Sequence, residues 1–295
     1  MNSYLTTERK TELSLLLVAF IWAANYPVIK FGILGLDAFV FNAIRFVTAG
    51  ALLSLLFITK MQWQKVEPKD WLKLIGIGLI ANVFYQVAFI SGVKITNAGN
   101  AAVLLSTAPL WTILFQWLFQ KKRIEFKTIV GMLISLTGII LIILGSGKKL
   151  EIGSYAMLGD LICLAAALFW ALHTNLQKPM LTKYPTIQLA LIMTLVGSIG
   201  LSLIALPSAL TMDWASVKLS FYFAAVASGI FAIATANVLW SRSIKKIGPS
   251  RTANYNNLVP VLAFIISYFT LNEDVLPIQF VGAGVTIIGI VFAKR

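Results

Sequence analysis

Long apolar stretches separated by short polar connections constrain this chain more than any other feature. A helix that crosses the hydrocarbon core of a bilayer needs about 20 consecutive, mostly apolar residues. Ten such runs can be placed, at residues 12–31, 38–59, 71–93, 99–119, 127–144, 156–177, 186–206, 217–240, 251–271 and 276–293. The runs are continuous and do not alternate with a period of two, so they predict membrane-spanning helices and not the strands of a barrel.

Composition supports a membrane protein and excludes other classes. Hydrophobic residues make up 59% of the 295 residues and charged residues 12%, whereas a soluble domain carries about 25% charge. The single cysteine, Cys163, excludes a disulfide scaffold. Because only short connections and tails lie outside the runs, we expect residues 1–295 to form a single all-α polytopic membrane domain.

The positions of Lys and Arg predict the orientation of the chain. If ten spans place both termini on one side, that side carries 18 of the 24 basic residues and the opposite side carries 5, with Arg45 inside the second run. Basic residues concentrate in cytoplasmic loops, so both termini are expected in the cytoplasm. This bias explains the net charge of +13 without a nucleic-acid partner. The tails carry no organelle address, so a prokaryotic plasma membrane is the expected location.

The two halves of the chain resemble each other. Residues 20–25 and Lys30 align with residues 168–173 and Lys178 at an offset of 148. At an offset of 151, the aligned pairs are Lys94 with Lys245, Ala102 with Ala253, Pro109 with Pro260, Gly131 with Gly282, and Gly138 with Gly289. Each unit holds five runs, an odd number, so the second unit inserts upside down. We expect two inverted five-helix repeats, residues 12–146 and 155–293, around a central cavity, as in secondary transporters. A duplicated scaffold without transport is the alternative.

Over residues 13–292 the chain resembles the EamA family of the drug/metabolite transporter superfamily. The resemblance rests on Trp22, Trp170, Arg45-Phe46, Lys246-Ile247-Gly248, Ala253, Pro260, Leu271-Asn272-Glu273, Gln279, Gly282 and Gly289. It implies carrier-type export of small metabolites by ten helices around a central cavity.

Polar side chains within the apolar runs are candidate substrate contacts, because in lipid each one needs a partner, a cavity or a functional reason. On the first helix, the residues beginning at Trp22 follow i, i+3, i+4 spacing and form a stripe on one face, and on the sixth helix a stripe beginning at Trp170 repeats that spacing. An inverted two-fold would place these two stripes facing each other. The predicted substrate-binding residues are Trp22, Asn25, Tyr26, Asn82, Tyr85, Gln86, Phe89, Thr107, Trp170, His173, Thr174, Gln177, Asn237, Trp240, Tyr255 and Asn257. Hydrogen bonding between helices is the competing interpretation of each amide and hydroxyl.

Two ionisable residues within the runs each have two interpretations. His173, the only histidine, suits either a proton-coupling site or a hydrogen-bonded packing position. Arg45 lies about 12 Å deep, at 1.5 Å per residue. It predicts either a structural guanidinium or a contact to an anionic group, and Asp160 is its candidate partner.

Three functional classes compete for such a chain. A secondary transporter fits best, and the absence of a GxxxxGK[ST] motif from the sequence excludes a bound nucleotide as the direct energy source. A channel or facilitator for small neutral solutes is the alternative, and a membrane enzyme would need clustered acids, histidines or cysteines. Neither a metal nor a cofactor is predicted. The expected partners are membrane lipid and a small neutral or zwitterionic solute such as an amino acid, and the oligomeric state stays open.

Overall fold

The computed structural model describes residues 2–60, 63–95, 98–121, 123, 125–145, 154–271 and 276–294, and all regular structure among them is helical. The α-helices are α1 (Asn2–Gly32), α2 (Ala38–Lys60), α3 (Pro68–Gly78), α4 (Tyr85–Ile95), α5 (Ala98–Leu105), α6 (Ala108–Gln120), α7 (Phe126–Gly145), α8 (Ser154–Lys183), α9 (Thr186–Thr211), α10 (Leu219–Ser228), α11 (Ala236–Ile247), α12 (Pro249–Asn254), α13 (Leu258–Leu271) and α14 (Pro277–Lys294). π-Helical turns join α3 to α4 and α10 to α11, and 3₁₀ turns cover Trp214–Ser216 and Tyr255–Asn257.

Among the described residues, eight helices are long and apolar enough to cross a membrane. They coincide with the first eight predicted runs, and α8 continues past the predicted end, through Pro179 to Lys183. The ninth run falls on the broken segment α12–α13, and the tenth falls on the shorter apolar helix Pro277–Ala293. Lys122 and the acidic pair Glu273–Asp274, which the sequence places in connections, lie outside the described residues.

Interruptions occur at corresponding positions in the two halves. The fourth run breaks at Ser106–Thr107, just before Pro109, and the ninth breaks at the 3₁₀ turn that precedes Pro260. Proline has no N–H to donate and is tolerated in the first turn of a helix, so each break leaves its proline near a helix start. The π-helical turns, Leu79–Phe84 and Gly229–Thr235, are also about 151 residues apart. The apolar pattern did not predict these π-helical turns.

Helices α7 and α14 pack antiparallel along their whole length. A Cβ added at Gly131 would meet Ala293 at the end of α14, whereas one added at Gly145 would meet Gln279 near its start. Contact through small residues lets helix backbones approach closely, which is the usual way that helices associate in membranes.

Hydrogen bonds complete the centre of this interface. Ser135 Oγ donates to the Thr286 carbonyl at 3.0 Å, and Thr286 Oγ1 lies 3.4 Å from the Ser135 carbonyl. Gly138 and Gly282 lie against each other, since a Cβ on either would be 2.5–2.6 Å from the other's carbonyl oxygen. Ser135 and Thr286 are themselves related by the offset of 151.

The helices that carry Trp22 and Trp170 each pack against the opposite half of the chain. Helix α1 contacts α10, α11 and α13, and helix α8 contacts α4, α5 and α6. Helices α2 and α9 pack together beside them, where Ser198 Oγ donates to the Phe46 carbonyl at 2.7 Å. Because α1 and α8 each pack against the opposite half of the chain, their predicted stripes lie toward the centre of the molecule.

A polar contact ties the start of α3 to the end of α8. Asp70 is buried and accepts hydrogen bonds from Lys183 Nζ at 2.9 Å and from the Tyr184 hydroxyl at 2.8 Å. Next to it, the Gln188 side chain accepts from the Gln64 N–H and donates to the Gln64 carbonyl. The connection between α2 and α3 is therefore held against the junction of α8 and α9.

We predict that Gly282→Ala lowers the thermal unfolding midpoint of the detergent-solubilised protein, because its Cβ would lie 2.6 Å from the Gly138 carbonyl oxygen. Overpacking of this kind costs about 1–3 kcal/mol. Gly284→Ala on the same helix is the matched control, since a Cβ there meets nothing within 4 Å. Equal midpoints for the two variants would contradict the close α7–α14 contact.

Candidate functional site

Three tryptophans from three helices form the aromatic centre of the molecule. Trp22 of α1, Trp170 of α8 and Trp240 of α11 have ring centroids 5.1–5.7 Å apart, a normal separation for interacting aromatic pairs. The Trp22 indole N–H donates to the Ala232 carbonyl at 3.1 Å, in the π-helical turn before α11. The predicted stripes of α1 and α8 therefore meet, and α11 closes the cluster.

A chain of hydrogen bonds runs beside the tryptophans. Ser241 Oγ donates to Gln177 Oε1 at 2.9 Å, and Gln177 Nε2 lies 3.0 Å from His173 Nε2. In this arrangement the amide nitrogen donates and His173 Nε2 accepts. His173 also packs against Trp170, with ring centroids 5.3 Å apart.

A small cavity of about 10 Å³ adjoins the cluster. It is lined by Asn82, Trp170, His173, Ala190, Met193, Thr194, Asn237, Trp240 and Ser241. This volume is about that of one water molecule, far below the 300–1,000 Å³ typical of a metabolite site. The indole nitrogens of Trp170 and Trp240 and the Nδ1 of His173 are buried, and none has a hydrogen-bond partner in the described chain. In this conformation the site is therefore too small for a metabolite, and these three nitrogens are available to form hydrogen bonds.

Other predicted residues surround this centre. Tyr85 packs on Trp170 with centroids 5.0 Å apart, and Phe89 stacks on Tyr85 at 5.9 Å. Asn82 donates to the Met193 carbonyl at 2.7 Å. Asn25 accepts from Ser228 Oγ at 2.6 Å, which is a bond between helices of the kind that the competing interpretation expects.

The remaining predicted residues lie apart from the tryptophan cluster or have no described polar contact. Tyr26 is 47% exposed and Gln86 is half-buried. Thr107 accepts from the Trp111 indole at the break between α5 and α6. Thr174 and Asn257 are buried, and an oxygen of each has no partner in the described chain. Tyr255 packs into the core that holds Trp240 and lines a second, larger cavity near the chain ends.

The sequence prediction left α9 out of the cavity. Ala190, Met193 and Thr194 of α9 line it, although the run 186–206 showed no aromatic or amide stripe. The sequence feature that could have indicated this role of α9 is the pair Thr194 and Ser198, which are spaced i, i+4 in an otherwise apolar run. Alanine and methionine lining a cavity cannot be distinguished by type from the same residues in a core.

Arg45 is 5% exposed and is held within its own helix. Its guanidinium donates to Asn42 Oδ1 at 2.6 Å and lies 5.7 Å from the centroid of the Phe41 ring. None of its described contacts is to Asp160, the candidate partner. In the described chain, no group of three or more His, Cys, Asp and Glu side chains is placed to hold a metal ion.

Comparisons with known proteins converge on one family. The model of the EamA-like transporter family matches residues 9–144 and 157–294. An uncharacterized transporter of Archaeoglobus fulgidus is 29% identical over 95% of this chain and 96% of its own. A Streptantibioticus cattleyicolor protein named "Probable terminal-alkyne amino-acid exporter" is 22% identical over 97% of this chain and 94% of its own. A crystal structure with 18% identity aligns over 97% of this chain and 98% of that chain with a TM-score of 0.82, a likeness of fold.

We predict that Gln177→Met destabilises the protein, because it leaves both His173 Nε2 and the Ser241 hydroxyl without their buried partner. An unmade buried hydrogen bond costs about 1–3 kcal/mol. Thermal unfolding in detergent measures the loss. Leu176→Met is the matched control, since Leu176 is the neighbouring, 36% exposed position. A Gln177→Met midpoint no lower than that of the control would contradict the hydrogen-bond chain.

Proposed function

The chain belongs to the EamA-like transporter family, and from this premise we propose that it exports small organic metabolites such as amino acids by alternating access. The observation that carries the proposal is the closed cluster of Trp22, Trp170 and Trp240 with the His173–Gln177–Ser241 chain. Helices from both halves of the chain contribute to it. A site at such an interface can open to either side of a membrane if the two halves move relative to each other.

The proposed architecture has ten membrane spans in two inverted repeats, residues 12–146 and 155–293, with both termini in the cytoplasm. The family model matches the chain in two segments, residues 9–144 and 157–294. Antiparallel packing of α7 on α14 and the offset of about 151 between the π-helical turns also support it. A unit with five spans reverses its orientation when it is repeated, which accounts for the antiparallel contact.

The proposed substrate is neutral or zwitterionic. The described lining of the small cavity contains indoles, an imidazole, amides and hydroxyls but no carboxylate. Indole faces suit an apolar or aromatic side chain, and the unpaired nitrogens of Trp170, His173 and Trp240 suit polar atoms of the solute. A dicationic drug would need an acidic partner that this lining lacks. The relative from Streptantibioticus cattleyicolor, which is named an exporter of an amino acid, supports the same class.

The proposed transport step opens the tryptophan cluster. A cavity of about 10 Å³ has no room for an amino acid, so the side chains around it must separate before the substrate binds. The two π-helical turns interrupt regular hydrogen bonding where Asn82 lines the cavity and directly before the lining helix α11. The breaks before Pro109 and Pro260 interrupt two further helices. Such points are where helices bend most easily. A closed cavity favours a carrier over an open channel.

We predict that purified protein in liposomes moves unmodified L-amino acids with saturation and does not move sugars or nucleotides. Trp170→Ala should raise the half-saturating concentration about tenfold, because it removes an aromatic face of the cluster. Trp214→Ala is the matched control, since that tryptophan is 43% exposed and lies in the connection after α9. Radiolabelled flux measures both variants. Saturable flux of sugars or nucleotides alone would refute the substrate class, and equal effects of the two variants would refute the role of the cluster.

The proposed orientation predicts opposite labelling of two introduced cysteines. Lys65→Cys, in the connection after α2, should react with a membrane-impermeant maleimide from the cytoplasmic face. Ser216→Cys, in the connection after α9, should react from the opposite face. Cys163 is fully buried and should stay unlabelled. Labelling of both introduced cysteines from one face in intact cells would contradict the arrangement.

A further inference from the structure

A second cavity of about 290 Å³ lies near the N-terminal end of α1 and is bounded also by α6, α7, α11, α12 and α14. Its volume is close to the lower bound for sites that bind small molecules. Charged groups of both signs line it, and among the described residues they are Glu8, Glu12, Glu125, Arg123 and Arg251. A lipid tail does not match such a lining, whereas a small solute that carries both charges does.

Polar neutral side chains form the buried part of this cavity. Gln116 and Asn254 line it and are 7% and 4% exposed. The Asn254 amide nitrogen donates to the Ile290 carbonyl at 3.0 Å, but its Oδ1 has no hydrogen-bond partner in the described chain. A buried acceptor without a partner costs free energy unless a ligand or water satisfies it.

Tyr255 connects this cavity to the aromatic cluster. Its side chain lines the cavity and also belongs to the buried core that contains Trp240, against which Trp22 and Trp170 pack. A solute in the larger cavity is therefore separated from the tryptophans by this core. Opening that core would carry the solute into the proposed transport site.

The ion pair between Glu8 and Arg251 in the cavity wall can be replaced by contacts to a ligand at a low cost in free energy. Arg251 donates to Glu8 at 2.8 Å, and the two side chains are 52% and 38% exposed. Ion pairs at this exposure contribute about 0–1 kcal/mol, because water and salt screen them. A zwitterionic amino acid holds its ammonium and carboxylate groups next to each other and can take the place of each partner.

We propose that this cavity is the docking site for a zwitterionic amino acid on the face that carries the chain termini. Arg251 binds the carboxylate, and Glu8 and Glu12 bind the ammonium group, so that the substrate replaces the Glu8–Arg251 pair. The inference rests on the proposed export of amino acids and adds the place where the substrate first binds. The half-saturating concentration measured from this face then depends on Arg251, whereas the one measured from the opposite face does not.

The test is transport of radiolabelled L-amino acids in liposomes that hold the protein in one known orientation, with solute supplied from each face in turn. Arg251→Gln should raise the half-saturating concentration about tenfold from the terminal-bearing face, since a charge-assisted contact is lost. The half-saturating concentration from the opposite face should be unchanged. The maximal rate from that opposite face should fall instead, because without a gradient the ratio of maximal rate to half-saturating concentration must be equal for the two faces of a carrier. Arg251→Lys keeps the charge, so its half-saturating concentration should rise less than that of Arg251→Gln. Transport by Arg251→Lys would also show that replacing Arg251 leaves the fold intact. Arg242→Gln is the matched control, an exposed arginine of α11 that does not line the cavity.

Two results separate failure of the docking site from failure of the proposed function. If wild-type protein transports amino acids but Arg251→Gln raises the half-saturating concentration equally from both faces, or from neither, the docking site is wrong and the export function stands. If wild-type protein transports no amino acid, the proposed function is wrong and the docking site falls with it.

A labelling experiment distinguishes a free amino acid from the ammonium-bearing headgroup of a lipid. In phosphatidylcholine vesicles, a mixture of L-amino acids should slow maleimide labelling of Ser250→Cys, a cavity-lining position, and leave that of Lys65→Cys unchanged. Slower labelling caused by phosphatidylethanolamine in the vesicles, with no effect of amino acids, would overturn the proposal in favour of a lipid site.

Discussion

A polar group in hydrocarbon has no water to bond with, and this constraint accounts for most of the structure. Backbone groups must pair within helices, which is why long apolar runs become helices and why breaks occur beside prolines. Side-chain amides and hydroxyls meet the same requirement across helices. Asn82 reaches a carbonyl of α9, Asn25 reaches Ser228, and Gln177 joins His173 to Ser241. Among the described residues, the buried atoms left without a hydrogen-bond partner include the indole nitrogens of Trp170 and Trp240, His173 Nδ1 and, on α12, Asn254 Oδ1.

The positions of α1 and α8 link the unpaired polar atoms beside the tryptophans to movement of the two halves of the chain. Each of these helices packs against the other half of the chain, so a relative movement of the halves would alter the contacts of Trp22 and Trp170 directly. The interface of α7 with α14 is different, because small residues there bring the backbones together and leave little room for sliding. One interface can therefore open while the other holds the halves together.

Sequence reasoning predicted the eight long apolar helices of the described residues, because they follow from apolar length. It also predicted the meeting of the α1 and α8 stripes, because helical periodicity together with an inverted repeat places them face to face. It did not predict the π-helical turns, since one extra residue in an apolar helix leaves no compositional sign. It also missed Met193 and Ala190, whose type is that of any core residue. The described hydrogen bond of Arg45 goes to Asn42, one turn away on the same helix, and a search for an opposite charge does not single out such an uncharged partner. Glu8 and Arg251, 243 positions apart, look like ordinary solvated charges until the fold brings them together.

The π-helical turns give this architecture an unusual means of variation. Each turn holds one residue more than regular α-helical spacing would use, so a residue can be lost there without ending the helix. Such a deletion would rotate the following segment by about 100°, and the face that presents Tyr85 to Trp170 would then point elsewhere. A single-codon deletion, with no change of residue type, is thus enough to turn a different helix face toward the tryptophan cluster.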